Sequence, residues 1–161
     1  MTGEIIKKLE NWLTDAKGVV VAGIGNPIRS DDYVGSKIVL DLQGKVSGNV
    51  CLLECETVPE SYLLEIEEFK PTHVLLIDAA FSGLNPGEVS IVNTEKISDF
   101  PALTTHILPL RIFCEYIKQV TGAKIALLLI EPKSMEFGEG LTLEVQKAAE
   151  KITKILLGLL G

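Results

Sequence analysis

The chain has 161 residues, 47% hydrophobic content and a formal net charge of −7 at pH 7, which is typical of one domain that folds without disulfides or a structural metal. No cluster of Lys and Arg stands out, which argues against nucleic acid as a partner and against binding to a membrane surface. The three cysteines form no C-x-x-C pair, and no signal peptide or membrane span is evident, so we expect a reduced, cytoplasmic protein.

The first half of the chain predicts two alternations of helix and strand. Residues 3–16 have the spacing of an amphipathic helix, and residues 19–24 form an apolar run typical of a strand buried on both faces. A helix starting near Asp31, a strand over 49–53 and a helix beginning near Pro59 follow. The apolar positions of these two helices are Val34, Ile38, Leu42, Leu63, Leu64, Ile66 and Phe69.

The second half continues the alternation. Residues 73–77 are the clearest strand, and 88–92 predict a short edge strand. A helix is expected over about 108–120, then a buried strand over 124–130 and a final helix over about 141–159. In the helix over 108–120, the predicted inward positions are Leu110, Phe113, Ile117 and Val120.

This order of elements predicts an α/β fold. Because the strands are apolar without polar alternation, the sheet is expected to be mainly parallel and covered on both faces. The architecture is therefore a three-layer sandwich, with a twisted sheet of about five strands between two layers of helices. No linker or repeat interrupts the chain, so residues 1–161 are expected to form a single domain.

Acidic residues follow the carboxyl ends of the strong strands. They are Asp31, Asp32, Glu54, Glu56, Asp78 and Glu131. Open α/β sheets bind ligands outside these ends, where the strand order reverses. Clustered carboxylates repel one another unless they are protonated or bound to a cation. The pattern therefore predicts a cation site or a general acid/base site, with Asp32, Glu54 and Asp78 as candidates.

Several of these residues also have a structural interpretation. Asp31 is expected to cap the following helix, although Asp32 could do so instead. Asp78 could fix a turn, and Glu131 is interpreted as a charge at the rim. Of the two histidines, His73 starts a strand away from the acidic edge and is interpreted as structural or solvated. His106 precedes a helix beyond that edge and is a candidate metal ligand. Spacing alone leaves open which of these residues meet.

Other catalytic motifs are incomplete. The Gly-Ile-Gly run after the first strand lacks the third glycine of a dinucleotide fingerprint, because Ile28 stands there. A cysteine nucleophile paired with His106 would be Cys55 or Cys114, but nothing near either residue predicts a low thiol pKa. The serine motif G-x-S-x-G is absent. Nucleotide binding and serine or cysteine catalysis are therefore disfavoured.

Three blocks of sequence, in order, resemble the nickel-iron hydrogenase maturation endopeptidases. The resemblance covers most of residues 18–150 and is strongest to the branch that processes the large subunit of the hydrogenase in formate hydrogenlyase. Residues 1–16 lie before it and are interpreted as an N-terminal helical extension. The blocks are GIGNPIRSDDYVG (Gly23–Gly35), PTHVLLIDAAFSGLNPGEVSIV (Pro71–Val92) and LTTHILPL (Leu103–Leu110).

The resemblance implies an endopeptidase that removes a C-terminal extension from the precursor of a hydrogenase large subunit after nickel insertion. Asp32, Asp78 and His106 match the family's metal-contacting positions. Nickel is then carried by the substrate, and no tightly bound metal is expected in the free enzyme. Glu54 stands where many members have Asp, and it remains a candidate proton acceptor. The alternatives are a nickel-insertion checkpoint that does not cleave, and a zinc-dependent hydrolase on the same fold.

Overall fold

The computed structural model describes residues 2–93 and 107–161, and over these ranges it contains one mixed sheet between helices. The strands are β1 (Val19–Ile24), β2 (Val50–Glu56), β3 (His73–Ala79), β4 (Val89–Asn93) and β5 (Lys124–Ile130). The helices are α1 (Thr2–Trp12), α2 (Val34–Leu42), α3 (Leu63–Phe69), α4 (Ile107–Thr121) and α5 (Leu143–Leu160). Short 3₁₀ segments, Ser30–Tyr33 and Pro59–Tyr62, precede α2 and α3.

The strand order predicts that a ligand binds between the carboxyl ends of β1 and β3. The order is β2-β1-β3-β5-β4, with β4 antiparallel to β5 and the other neighbouring pairs parallel. The chain passes from β1 to β2 on one side, then crosses to the other side of β1 to form β3. The strand order therefore reverses between β1 and β3, and ligands of open α/β sheets bind at such a point.

Two apolar cores lie on opposite faces of the sheet. Helices α1, α2 and α5 cover one face, which is built around side chains such as Val21, Leu75 and Leu128. Helices α3 and α4 cover the other face, built around side chains such as Leu76 and Leu127. The predicted three-layer α/β architecture is thus confirmed. Within the part of the chain that the structure describes, no helix is long and apolar enough to cross a membrane.

Most of the predicted elements are present, and several bounds are corrected. Strands β1 and β5 match the predicted ranges, whereas β2 continues to Glu56 and β3 to Ala79. Helix α1 ends at Trp12 rather than at residue 16, because the chain turns there and Asp15 has a φ of 63°. The predicted inward position Val120 is wrong, since its side chain is 38% exposed, and Leu64, one of the apolar positions of α3, is 65% exposed.

Candidate functional site

Asp32 lies in the 3₁₀ segment Ser30–Tyr33, between β1 and α2, and it is almost fully buried. Its Oδ2 accepts a hydrogen bond of 3.1 Å from the backbone N–H of Asn26. Its Oδ1 is buried and accepts no hydrogen bond from any residue that the structure describes. A buried carboxylate oxygen without a donor is costly, so this atom is suited to a cation or a proton donor supplied from outside the chain.

Glycine at three positions allows the Asp32 segment to lie directly on the sheet. A Cβ on Gly25 would overlap the backbone oxygen of Asp32, and a Cβ on Gly23 would overlap that of Gly35. A Cβ on Gly35 would overlap the carbonyl oxygens of Ile24 and Ile77, on β1 and β3. The Gly-Ile-Gly run therefore serves close backbone packing at the switch point, as its failure to match a nucleotide fingerprint indicates.

Gly35→Ala is expected to destabilise the protein by about 3 kcal/mol or more, because the new methyl group meets backbone atoms that cannot move aside. Urea denaturation measures this change. Gly158→Ala is the matched control, since Gly158 also lies in a helix but has open space around its Cβ position. It is expected to stabilise by up to about 1 kcal/mol. Equal stabilities of the two variants would contradict the packing argument.

Asp78 lies near the end of β3 and is fully buried. Its Oδ1 accepts a hydrogen bond of 2.8 Å from the backbone N–H of Ala79. Because side chains alternate along a strand, Asp78 shares with Leu76 the face covered by α3 and α4. The 3₁₀ segment that carries Asp32 packs against β3. Asp32 follows β1 and Asp78 lies on β3, so the two residues come from the elements on either side of the switch point.

His106 lies outside the described residues, so its role as a metal ligand stays a prediction. Helix α4 begins at the next residue, Ile107, and leads through Gly122 into the amino end of β5. A helix of 15 residues spans about 22 Å, and a strand of seven residues spans about the same length. The first turn of α4 is therefore close to the carboxyl edge of the sheet. Over residues 2–93 and 107–161, no group of three His, Cys, Asp or Glu side chains is arranged to hold a metal ion.

Glu54 occupies a different place from Asp78. It lies within β2, opposite Gly23 of β1, and alternation places its side chain with Leu52 on the face covered by α2. Burial, and then the negative charge of Glu56, raise the pKa of Glu54. Burial, and then Glu54, raise the pKa of the Tyr33 phenol. Glu54 thus lies beside Tyr33, and its role as a proton acceptor stays a prediction.

The predicted helix cap at Asp31 is wrong. Arg29, not Asp31, stands at the cap position of the 3₁₀ segment, and no side chain caps it. The fully buried carboxylate of Asp31 instead accepts hydrogen bonds from the backbone N–H groups of Lys133 (2.8 Å), Ser134 (3.0 Å) and Thr142 (2.8 Å). The hydroxyl of Thr142 donates a further hydrogen bond of 2.8 Å. Asp31 therefore holds the loop between β5 and α5.

Two other polar residues are structural. Glu131 is not a rim charge, because it is buried and its Oε1 accepts from the backbone N–H groups of Ser82 (2.7 Å) and Leu84 (3.3 Å). It thereby fixes the loop after β3. His73 is buried against Trp12, with ring centroids 5.0 Å apart in an edge-to-face arrangement. Burial, and then the charge of Lys124, lower the pKa of His73. Its burial and its contact with Trp12 agree with the structural interpretation and exclude a solvated side chain.

The fold and sequence match known proteins along most of the chain. The family model described as "HycI: Hydrogenase maturation protease" matches residues 37–159, more than half of the chain. The chain belongs to this hydrogenase maturation protease family. It is therefore a hydrolase, and the family expected from the three sequence blocks is confirmed.

Individual relatives agree with this assignment. A putative hydrogenase maturation protease of Methanocaldococcus jannaschii is 33% identical over 161 residues, covering 95% of this chain and 92% of the relative. The Hydrogenase 3 maturation protease of Escherichia coli is 30% identical over 139 residues, covering 86% and 88%. The crystal structure of the protease HycI from Thermococcus kodakarensis superimposes with a TM-score of 0.86, at 32% identity, over 94% of this chain and 97% of that one.

The two buried cysteines of this protease, Cys55 and Cys114, are expected to be unreactive at neutral pH. Burial raises the pKa of Cys55 to about 12, and burial also raises the pKa of Cys114 to about 12. Neither forms a reactive thiolate at pH 7.5. We expect iodoacetamide to leave both residues of the native protein unmodified, as measured by mass spectrometry of its peptides, and to leave proteolysis unchanged. Urea-denatured protein is the positive control, and loss of activity with labelling of Cys55 alone would contradict this expectation.

Proposed function

We propose that this protease removes the C-terminal extension from the nickel-loaded precursor of a hydrogenase large subunit. Membership of the maturation protease family supports the reaction class. The observation that carries the proposal is the buried Oδ1 of Asp32, which has no hydrogen-bond donor among the described residues and lies at the switch point near Asp78. A carboxylate left in this state favours a cationic substrate group.

The nickel ion is proposed to arrive as part of the substrate. Cysteines of the precursor would hold it, and Asp32, Asp78 and His106 would occupy its open coordination positions. Two carboxylates and one imidazole are a suitable ligand set for a divalent first-row metal. His106 is included because it directly precedes α4, whose first turn is close to the carboxyl edge. We further propose that this takes place in the cytoplasm, where the three free thiols would stay reduced.

Binding of the precursor's metal would hold its C-terminal extension against the acidic edge of the sheet. Fixing the scissile bond beside the site converts a diffusive encounter into a positioned one. In the hydrolysis step, the oxygen of a water molecule bonds to the carbonyl carbon, the C–N bond breaks, and the water's proton passes to the leaving nitrogen. Either the metal lowers the pKa of that water, or a carboxylate accepts its proton first.

Asp78 and Glu54 are the two proposed proton acceptors. Asp78 is held in place by its hydrogen bond to the N–H of Ala79 and lies near the metal-contacting Asp32. Glu54 has a raised pKa, which makes its carboxylate a stronger base, and it lies beside Tyr33, the residue that follows Asp32.

The test is intact mass spectrometry of a hydrogenase large-subunit precursor, with and without this protein. Nickel-loaded and nickel-free precursors are compared in parallel. The proposal predicts loss of a single C-terminal peptide, only from the nickel-loaded form and only when the protease is present. Cleavage that is independent of nickel would disprove the substrate-metal part of the proposal.

Two other outcomes identify alternative functions. Binding of the nickel-loaded precursor without any change in mass would indicate a checkpoint protein. Stoichiometric zinc in the purified protein, together with cleavage that chelators abolish and zinc restores, would indicate a hydrolase with its own metal. The proposal predicts little metal in the purified protein.

A further inference from the structure

Two exposed apolar residues lie on adjoining loops that leave the carboxyl edge of the sheet. Ile28 follows β1 and is 52% exposed, and Phe137 follows β5 and is 83% exposed. Single exposed apolar residues are common on protein surfaces and need no explanation. These two differ because backbone hydrogen bonds join the loops that carry them, and the loop of Ile28 leads to Asp32.

Backbone hydrogen bonds join the two loops. The N–H of Gly138 donates to the oxygen of Ile28 at 3.0 Å, and the N–H of Ser30 donates to the oxygen of Gly138 at 2.9 Å. These bonds form a short parallel bridge between Arg29 and Gly138. The Nε of Arg29 also donates to the oxygen of Met135 at 3.2 Å. Ile28 and Phe137 therefore lie on adjoining segments with a fixed relative position.

The buried side chain of Asp31 fixes the loop between β5 and α5, which carries Phe137. Its buried carboxylate accepts hydrogen bonds from Lys133 and Ser134 at the start of that loop and from Thr142 at its end. An apolar residue on a pre-ordered loop loses little conformational freedom when a partner covers it. The structure therefore maintains an exposed Phe in a position suited to binding.

The loop after β1, which carries Ile28, connects this surface with the candidate site. The backbone N–H of Asn26 holds Oδ2 of Asp32, and the side-chain oxygen of Asn26 accepts a hydrogen bond of 3.0 Å from the N–H of Ile28. Ile28 is thus one hydrogen-bonded turn from the metal-contacting carboxylate. Ile28 and Phe137 therefore lie at the same edge of the sheet as the candidate site.

The surroundings of Phe137 indicate the chemistry of its partner. Glu136 and Glu139 flank it and are exposed, in a chain with a formal net charge of −7. The basic residue of this surface, Arg29, is only partly exposed and donates its Nε–H to the oxygen of Met135. An apolar patch bordered by Lys and Arg would match both the exposed ring and its acidic border. A lipid surface is a poor match, because acidic side chains at its contact would be repelled by anionic headgroups.

We propose that Ile28 and Phe137 form an apolar anchor that docks the folded body of the large-subunit precursor, at an apolar patch with a basic border. This inference rests on the proposed function, and it adds a contact separate from the metal and from the C-terminal extension. The anchor increases the affinity for the precursor and positions it, while Asp32 and Asp78 act on its metal-bound end.

The test compares Phe137→Ser and Ile28→Ser with Leu40→Ser. Leu40 is also an exposed apolar residue, but it lies near the end of α2 that leads away from the carboxyl edge. The measurements are kcat and KM for processing of the nickel-loaded precursor, and Kd for the same precursor by biolayer interferometry. Thermal unfolding confirms that each variant is folded.

Each anchor variant is expected to raise KM and Kd by about 10- to 100-fold, as truncation of a central interface residue does. The value of kcat is expected to change by less than about twofold, because the reacting groups are untouched. Leu40→Ser is expected to match the wild type. Glu136→Lys should also raise Kd, by reversing a charge that faces the basic border, and this increase should diminish at high salt.

The outcomes separate failure of the anchor from failure of the proposed function. If the wild type cleaves the precursor but both Ser variants keep its KM and Kd, the anchor is disproved and the function stands. If the wild type binds without cleaving, the function is disproved and the Kd ratios alone decide the anchor. If the wild type neither binds nor cleaves nickel-loaded precursors, both fail. A wild-type dimer that Phe137→Ser converts to a monomer, with unchanged Kd for the precursor, would show that a second copy is the occupant and overturn the anchor.

Discussion

Asp32→Asn and Asp78→Asn are each expected to lower the rate of precursor processing by about 10²- to 10⁴-fold. Asparagine keeps the shape of each side chain but removes the charge that would contact the metal. In Asp32→Asn the amide oxygen can still accept the hydrogen bond from Asn26, and the NH2 group then takes the place of Oδ1, where it cannot bind a cation. His106→Ala is expected to block processing in the same way.

The matched control for these variants is Asp41→Asn. Asp41 is a partly exposed carboxylate on α2 that pairs with Lys37 at 2.7 Å, so its neutralisation is expected to leave both rate and stability nearly unchanged. Rates are measured by gel shift of the nickel-loaded precursor at saturating and limiting concentrations. Thermal unfolding separates loss of chemistry from loss of fold. Wild-type rates in Asp32→Asn, Asp78→Asn and His106→Ala would remove these residues from the site.

The strands were predictable where local sequence determines their limits. β1 and β5 are buried apolar runs, and their ends match the predicted ones. β3 was predicted to stop before Asp78, but it continues because Asp78 and Ala79 pair with Leu129 and Ile130 of β5. A polar residue can extend a strand when its neighbour supplies the pairing, and a strand's own sequence does not contain that information.

Helix faces were predictable only in part. The stripe on α2 was correct, since Val34, Ile38 and Leu42 are all buried. In α3 and α4, Leu64 and Val120 also fall within the apolar pattern, yet neither faces the sheet. A short helix with many apolar residues is compatible with more than one buried face, and tertiary packing selects between them.

The sequence does not reveal that Asp31 is structural whereas Asp32 belongs to the candidate site. The two are adjacent, acidic and buried, so composition and spacing treat them alike. They differ in their partners. Asp31 binds groups that lie 102 to 111 residues later in the chain, whereas the only hydrogen bond to Asp32 from the described residues comes from Asn26, six residues earlier. Long-range contacts of this kind have no local signal.

Glu54 and Asp78 were grouped by sequence because each comes near the carboxyl end of a strand. Strand alternation separates them, since Glu54 shares the α2 face with Leu52 and Asp78 shares the opposite face with Leu76. The alternation of each strand is visible in sequence, but the face that it presents depends on the register with β1. What the structure shows for Asp32 is that its 3₁₀ segment packs against β3, the strand of Asp78.

Asp31→Ala is expected to lower the free energy of unfolding by about 3–5 kcal/mol. The substitution removes a fully buried carboxylate and leaves three backbone N–H groups and one hydroxyl without their acceptor. Unsatisfied buried donors cost about 1–3 kcal/mol each, and local rearrangement that admits water offsets part of the sum. Urea denaturation followed by circular dichroism measures the change.

Thr142→Val tests the same network in smaller steps. It removes only the hydroxyl that donates to Asp31 at 2.8 Å and keeps the backbone N–H bond, so a loss of about 1–2 kcal/mol is expected. Asp41→Ala, at the partly exposed pair with Lys37, should cost less than about 1 kcal/mol. An Asp31→Ala protein as stable as Asp41→Ala would show that the loop carrying Phe137 is held by its backbone bridge alone. A large loss, with Thr142→Val intermediate, would show that the carboxylate of Asp31 stabilises the loop that carries Phe137.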